Sequence, residues 1–148
     1  MSYLRQVIVV DKSLSMPAGK LAAMVAHAAM TFLLSRLVPF QMLVAEERVK
    51  FDGFTFYASG TEREWLTEMD PGLENIRQVS MGKIVCQVAS NAELLAVEQV
   101  AFEDGLVCHR VVDCGASHNK PGTLACIAIG PDTPERLAPV TGHLKVYR

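Results

Sequence analysis

The residues best suited to chemistry fall in two places. The first is a helical stripe. Lys20, Met24, His27 and Thr31 follow one another at spacings of 4, 3 and 4, which places them within about 60° on a helix surface. Lys20 lies in the first turn, where the helix dipole mildly disfavours a cation. A lysine there is expected to serve a bound anion. The second place is a polar run, Asp113-Cys114-Gly115-Ala116-Ser117-His118-Asn119-Lys120-Pro121-Gly122-Thr123. A carboxylate, a lysine and hydroxyls around a water suit hydrolysis, through general-base assistance and electrostatic stabilisation. Each residue also has a plainer reading. Asp113 can close an Asx-turn on Gly115. Lys20 can be solvated, and His27 on an apolar helix can be a satisfied core histidine. Ser117 and His118 are adjacent, and neighbours in an extended loop point apart, which argues against a Ser-His nucleophile pair. Met24 reads most simply as core or cleft lining. His109 and His143 read as structural.

The elements that must position these residues are legible in outline. Gln6–Val10 (QVIVV) is a β-branched run expected to form a central strand buried on both faces. Ser13 or Ser15 is expected to cap the next helix, with Pro17 in its first turn and its end near Ser35. Leu21, Val25, Ala28 and Phe32 share one face, and Ala22, Ala26, Ala29 and Leu33 widen it. Arg48–Ala58 reads as a strand or hairpin. Thr61–Met69 reads as a short helix with Glu64 at the capping-box position. Lys83–Ala89 is a second strand. Asn91 is expected to cap a helix reaching Asp104, with Leu94, Leu95, Val97, Val100, Ala101 and Phe102 inward, and Gly105 ends it. Leu106–Val112 and Leu124–Ile129 are further strands, the latter ending at Gly130-Pro131. Thr133 opens a short helix, and Leu144–Tyr147 is strand-like.

Alternation of buried strands and helices argues an α/β sheet covered on both faces. The short loop between the last two long strands permits an antiparallel pair, hence a mixed sheet. Ligands of such sheets bind beyond the carboxyl ends of strands. If the first and third strands are parallel neighbours, Lys20, His27, Asp113, Ser117 and Thr123 converge on one cleft.

Composition narrows the function classes. The chain has 148 residues, half of them hydrophobic and a fifth charged, which excludes a disordered chain and fits one domain. The apolar run Leu21–Leu34 is fourteen residues long and contains His27 and Thr31. It is too short for a membrane span, which needs about 20 residues. No signal-peptide pattern opens the chain, so a cytoplasmic protein is expected. Cys86, Cys108, Cys114 and Cys126 are spaced 22, 6 and 12 apart. That spacing gives no zinc site, and three of the four read as reduced core thiols. Neither a Walker A run nor a G-x-G-x-x-G run occurs, and no cofactor or metal is expected. The net charge is −2, distributed as +3 over residues 1–38, −7 over 39–104 and +2 over 105–148. Nucleic-acid binders usually carry a basic excess, so any RNA contact must be local.

The set of motifs resembles the type-II peptidyl-tRNA hydrolase family. The matching pieces are Gln6–Val10, Gly19–Ala28, Lys83-Ile84-Val85, Asp113-Cys114-Gly115 and Pro121-Gly122-Thr123. Two further runs, Ala128-Ile129-Gly130-Pro131 and Thr141-Gly142-His143-Leu144-Lys145, complete the match. The resemblance implies a single domain over 1–148 with an irregular insertion at about 38–81. It implies a three-layer α/β/α sandwich around a four-stranded mixed sheet, and a homodimer. The implied reaction is metal-independent cleavage of the ester joining a peptide to the terminal ribose of tRNA. The implied partner is the acceptor end of tRNA. By the same resemblance, Asp113 positions or activates water. Lys20 neutralises a phosphate or the developing oxyanion, and Ser117 and Thr123 hold water or ribose. His27, Met24, His118 and Lys120 lie around the substrate. Four positions depart from the family pattern. Met24 stands at the helix glutamine, Ser117-His118 at a Thr-Gln pair, and Ala125 at a second threonine. Two alternatives follow. One is a non-catalytic ligand-binding or regulatory module on the same scaffold. The other is a hydrolase for a different ester or amide, with His118 as acid or base.

Overall fold

The computed structural model describes residues 4–35, 48–51, 54–57 and 82–148. In chain order the elements are β1 (Arg5–Asp11), a 3-10 turn (Lys12–Leu14), α1 (Ala18–Leu34), β2 (Arg48–Phe51), β3 (Phe54–Tyr57) and β4 (Lys83–Val88). There follow α2 (Asn91–Glu103), β5 (Cys108–Asp113), β6 (Thr123–Asp132), α3 (Pro134–Thr141) and β7 (Lys145–Val146).

The main sheet runs β5-β6-β1-β4-β7. β1 pairs parallel with β4 and antiparallel with β6, and β5 and β7 join antiparallel to β6 and β4. The sheet is therefore mixed, as expected, but it has five strands rather than four. The fifth is the two-residue β7, where Val146 faces Cys86 and Lys145 faces Gln87. β1 is the central strand, and Val7–Val10 are almost wholly buried. Alternation along β1 feeds two cores. Ile8 and Val10 pack with Met24, Ala28, Cys126 and Ala128 on the α1 face. Val7 and Val9 pack with Leu94, Val97, Ile127, Leu137 and Val140 under α2 and α3. These two cores make the three layers.

Strand order corrects one expectation. β1 and β5 are not neighbours, because β6 lies between them. Both run antiparallel to β6, so their carboxyl ends still point the same way. The convergence of Lys20 with Asp113 survives for that reason. A register shift between Val111 and Val112, opposite Leu124 and Cys126, bulges β6 at Ala125. The bulge turns Ala125 and Cys126 to the same core and bends the ladder just before Asp113 and Thr123.

Several ends differ from the sequence reading. Neither Ser13 nor Ser15 caps α1. The Pro17 carbonyl accepts the Leu21 N–H at 2.9 Å, while Asp11 accepts from the Ser13 N–H and caps the 3-10 turn. Ser90, not Asn91, caps α2 by accepting the Glu93 N–H. β6 continues through Gly130-Pro131 to Asp132. In α2 only Leu94, Val97, Glu98 and Ala101 are buried. Leu95, Val100 and Phe102 are exposed, because the sheet accepts only a narrow stripe of the helix. Glu98 sits inside that stripe because Arg110 of β5 covers it with two contacts of 2.6 Å. On α1, Ala22, Ala23, Ala26 and Met30 are exposed, so its alanine-rich outer face is uncovered in the single chain among the described residues.

In the expected insertion, β2 and β3 pair antiparallel, which takes the hairpin form of the strand-or-hairpin reading of Arg48–Ala58 over its described residues. The rest of 38–81, including the expected helix Thr61–Met69, lies outside the described residues. Among the described residues no helix is long and apolar enough to cross a membrane.

Candidate active site

Asp113 is the last residue of β5, and its side chain is 1% exposed. Lys20, in the first turn of α1, reaches it across the mouth of the sheet. The Nζ to Oδ2 distance is 2.7 Å, and the lysine side chain is 13% exposed. The Gly115 N–H donates to Oδ1 at 3.0 Å, and the Asn119 amide donates to Oδ2 at 3.0 Å. The Asx-turn and the ion pair therefore coexist. The Gly122 N–H donates to the Asp113 carbonyl at 2.8 Å, which closes the loop on its own start. Gly115 is required there. Its φ is +79°, and a Cβ would lie 2.4 Å from the Pro121 nitrogen.

These donors set the electrostatics. The Lys20 ammonium holds the Asp113 carboxyl down at about 2, with help from the Gly115 N–H and the Asn119 amide, while burial opposes them. Asp113 is thus a firmly anionic group of low basicity. Three donors on a carboxylate with about four acceptor sites leave room for one more, on Oδ1.

The pair opens on a cleft of about 530 Å³. Lys20, Met24 and His27 of α1 form one wall, and Val112, Asp113, Cys114 and Ser117 form the other. The stripe read from spacing is therefore a cleft wall over its first three members. The fourth, Thr31, bonds its own helix through the Ala28 carbonyl. His27 is exposed in the cleft and not a buried core histidine.

The other expected site residues are placed differently. Thr123 does not line the cleft. Its hydroxyl donates to the Lys120 carbonyl at 2.7 Å, which clips the loop. Lys120 serves there through its backbone, and its residue is exposed. His118 turns away from Ser117. Its Nε2 lies 2.7 Å from the Leu14 carbonyl and ties the loop to the turn after β1. Two cleft residues and one supporting residue were not singled out from sequence. Val112 and Cys114 line the wall, and Asn119 holds Asp113. An amide six residues after a strand-end aspartate, within one loop, was the available signal for Asn119. Among the described residues no group of three or more His, Cys, Asp or Glu could hold a metal ion.

Comparisons with known proteins identify the family. The chain matches the family described as peptidyl-tRNA hydrolase PTH2 over residues 4–147. It is 33% identical to a peptidyl-tRNA hydrolase of Nanoarchaeum equitans over 95% of this chain and 96% of that one. It is 32% identical to one from Thermoplasma acidophilum, over 96% and 97% of the two chains. It is 33% identical to one from Methanopyrus kandleri, over 97% and 98%. A protein of unknown function from Agrobacterium tumefaciens C58 shares the fold, with a TM-score of 0.53, 7% identity and full coverage of both chains. A match over nearly the whole length, with relatives above 30% identity, settles the relationship: the chain belongs to the peptidyl-tRNA hydrolase PTH2 family.

Proposed function

We propose that this chain hydrolyses the ester between a peptide and the terminal ribose of tRNA, with Lys20 and Asp113 as its working pair. The observation that carries this is a buried carboxylate holding a partly exposed ammonium at the wall of an open cleft. Lys20 has three donors, and Asp113 uses one of them. The remaining donors face the place where a carbonyl oxygen would gain charge, which is where a fixed cation accelerates ester cleavage. Asp113 is too weak a base to take a proton outright. It holds the attacking water through the free acceptor site on Oδ1. Ser117, on the same wall as Asp113, supplies a hydroxyl to that water or to the ribose.

The water oxygen bonds to the ester carbon, the bond to the ribose oxygen breaks, and the ribose oxygen leaves with a proton from the water. Met24 and His27 on the α1 wall and Val112 on the facing wall offer the surface on which the terminal nucleotide or the peptide rests. Met24 in this wall contributes contact rather than hydrogen bonds. Thr123, Lys120 and His118 hold the loop that presents Asp113 and Ser117. We place the protein in the cytoplasm as a homodimer, in line with the family resemblance. The test is incubation of the purified chain with a labelled peptidyl-tRNA. Release of peptide and intact tRNA is expected. A correctly folded chain that releases neither at any salt concentration overturns the reading.

A further inference from the structure

We propose that the open edge of β5 binds the peptide half of the substrate, as an added strand held by main-chain hydrogen bonds; this rests on the hydrolase reading above. β5 ends the sheet, and among the described residues no strand lies beyond it. It is also the strand that delivers Asp113 to the cleft. The Val107 carbonyl accepts the Gly130 N–H at 2.8 Å, and the Asp113 carbonyl accepts the Gly122 N–H at 2.8 Å. Both bonds run to the β6 side. In an antiparallel pair, alternate residues turn their N–H and C=O to the partner. His109 and Val111 therefore turn their main-chain groups to β6, and Cys108, Arg110 and Val112 present theirs to the outer edge. The extra residue of the bulge, Ala125, is on β6, so the alternation along β5 is unbroken. Arg110 and Val112 are exposed. Val112, at 55%, also lines the Asp113 cleft. An uncovered edge of this kind is a template for a further strand.

The place of this edge selects its occupant. α1 lies along β5 in the opposite direction and meets it at both ends. Lys20 Nζ reaches Asp113 at 2.7 Å, and Ser35 Oγ lies 3.5 Å from His109 Nε2. The ester carbonyl must sit between Lys20 and Asp113, at the carboxyl end of β5. That carbonyl belongs to the last residue of the peptide. The peptide therefore leaves the cleft along the edge with its carboxyl end beside that of β5, as a parallel strand. Cys108 to Val112 spans about 13 Å, so the edge serves only the last few residues of the peptide. Main-chain pairing reads no side chains, which suits a substrate whose peptide can have any sequence. Ala23 and His27 on the α1 wall are exposed beside the start of this path. The small Ala23 leaves room there for side chains of different size.

The probe is 3′-amino-3′-deoxyadenosine acylated with N-acetylated alanine peptides of one, three, five and eight residues. Its amide link replaces the ester, and calorimetric titration of the full chain gives Kd. Roughly tenfold tighter binding is expected from one residue to three, the scale of one or two main-chain hydrogen bonds. No further gain is expected from five to eight, where the peptide outruns β5. N-methylation moved residue by residue along the five-residue probe should weaken binding only at every second position, where the N–H meets the edge. Amide hydrogen exchange of Arg110 and Val112, followed by NMR, should slow in the complex. Failure of every probe to bind, equal Kd at every length, or an equal effect of every N-methyl group overturns the proposal. So does slow exchange at Arg110 and Val112 in the free chain that is lost on dilution to the monomer, which assigns the edge to a second copy. The probe carries no ester, so its binding is read whether or not the chain cleaves peptidyl-tRNA. The two readings can therefore fail separately.

Discussion

Asp113 and Glu98 are both buried carboxylates that take a cation from another element, and their settings are opposite. Glu98, on α2, meets Arg110 of β5 through two contacts of 2.6 Å, one to each oxygen. The guanidinium fork matches the carboxylate, and the pair bridges a helix to the sheet. Arg110 is half exposed, and both charges act on the nearby Cys108 thiol. Asp113 meets Lys20 through one 2.7 Å contact, and the lysine stays partly exposed while its partner is buried. Backbone and amide donors, not a fork, supply the other contacts of Asp113. Neither carboxylate has all its acceptor sites filled: Glu98 takes two donors and Asp113 three. Asp113 differs in lying at the wall of a cleft of about 530 Å³, beside open space that a third group can enter. Burial and donor count do not separate the two; the adjoining cavity does.

The comparison can be broken or sharpened in four ways. Asp113→Asn is nearly isosteric and removes the charge that holds Lys20. Peptidyl-tRNA cleavage should fall by about 100-fold or more, in the range for losing a group that acts on the reacting atoms. A loss below threefold would put Asp113 in the same class as Glu98. Asn119→Ala removes one donor from Asp113 and should lower kcat/KM by roughly tenfold, the scale of one hydrogen bond to a charged group. Steady-state kinetics with the same substrate checks it. Glu98→Gln should do the reverse. It leaves cleavage within about twofold and lowers Tm by a few degrees in calorimetry, because Arg110 loses its bidentate partner.

The smallest effect is on pH dependence. The Asp113 carboxyl sits at about 2 against an ordinary 3.8. A lowered value means that the folded state favours the ionised form. The stabilisation is complete above about pH 4 and is lost as pH falls through about 2. The kcat/KM profile should therefore carry no acid limb from Asp113 between roughly pH 5 and 8. The other titratable groups of the cleft are Lys20, His27 and Cys114. An acid limb in that window that survives His27→Gln would contradict this account.

Much of this arrangement was legible in the sequence, and the reasons are local. The run QVIVV could only be a doubly buried strand. The spacing of Lys20, Met24 and His27 fixed a shared helix face before any contact was known. Asp113 at a strand end and Gly115 two residues later announced a tight turn. Strand order was not legible. The insertion of β6 between β1 and β5 depends on pairing between distant segments, which no local pattern encodes. The inward set of α2 was overdrawn because six apolar residues fit a helix face of unspecified width, and the sheet took only one stripe. The roles of Thr123, His118 and Asn119 were hidden for another reason. All three act inside a loop of no fixed period, where a hydroxyl can clip a turn as readily as it can hold a water. The polar run and the family resemblance both pointed to this loop, and the geometry divides its residues into those that line the cleft and those that hold the loop.

The central claim is that Lys20 and Asp113 act as one unit on the ester. The measurement that tests it most directly is a double-mutant cycle on kcat/KM for peptidyl-tRNA cleavage, using Lys20→Met, Asp113→Asn and the two combined. Groups that act together are strongly non-additive. Each single change should cost on the order of 100-fold, and the combination should cost about the same as either alone. Losses that multiply would mean that the two residues act independently, and the 2.7 Å contact between them would then belong with Glu98 and Arg110 as a structural pair.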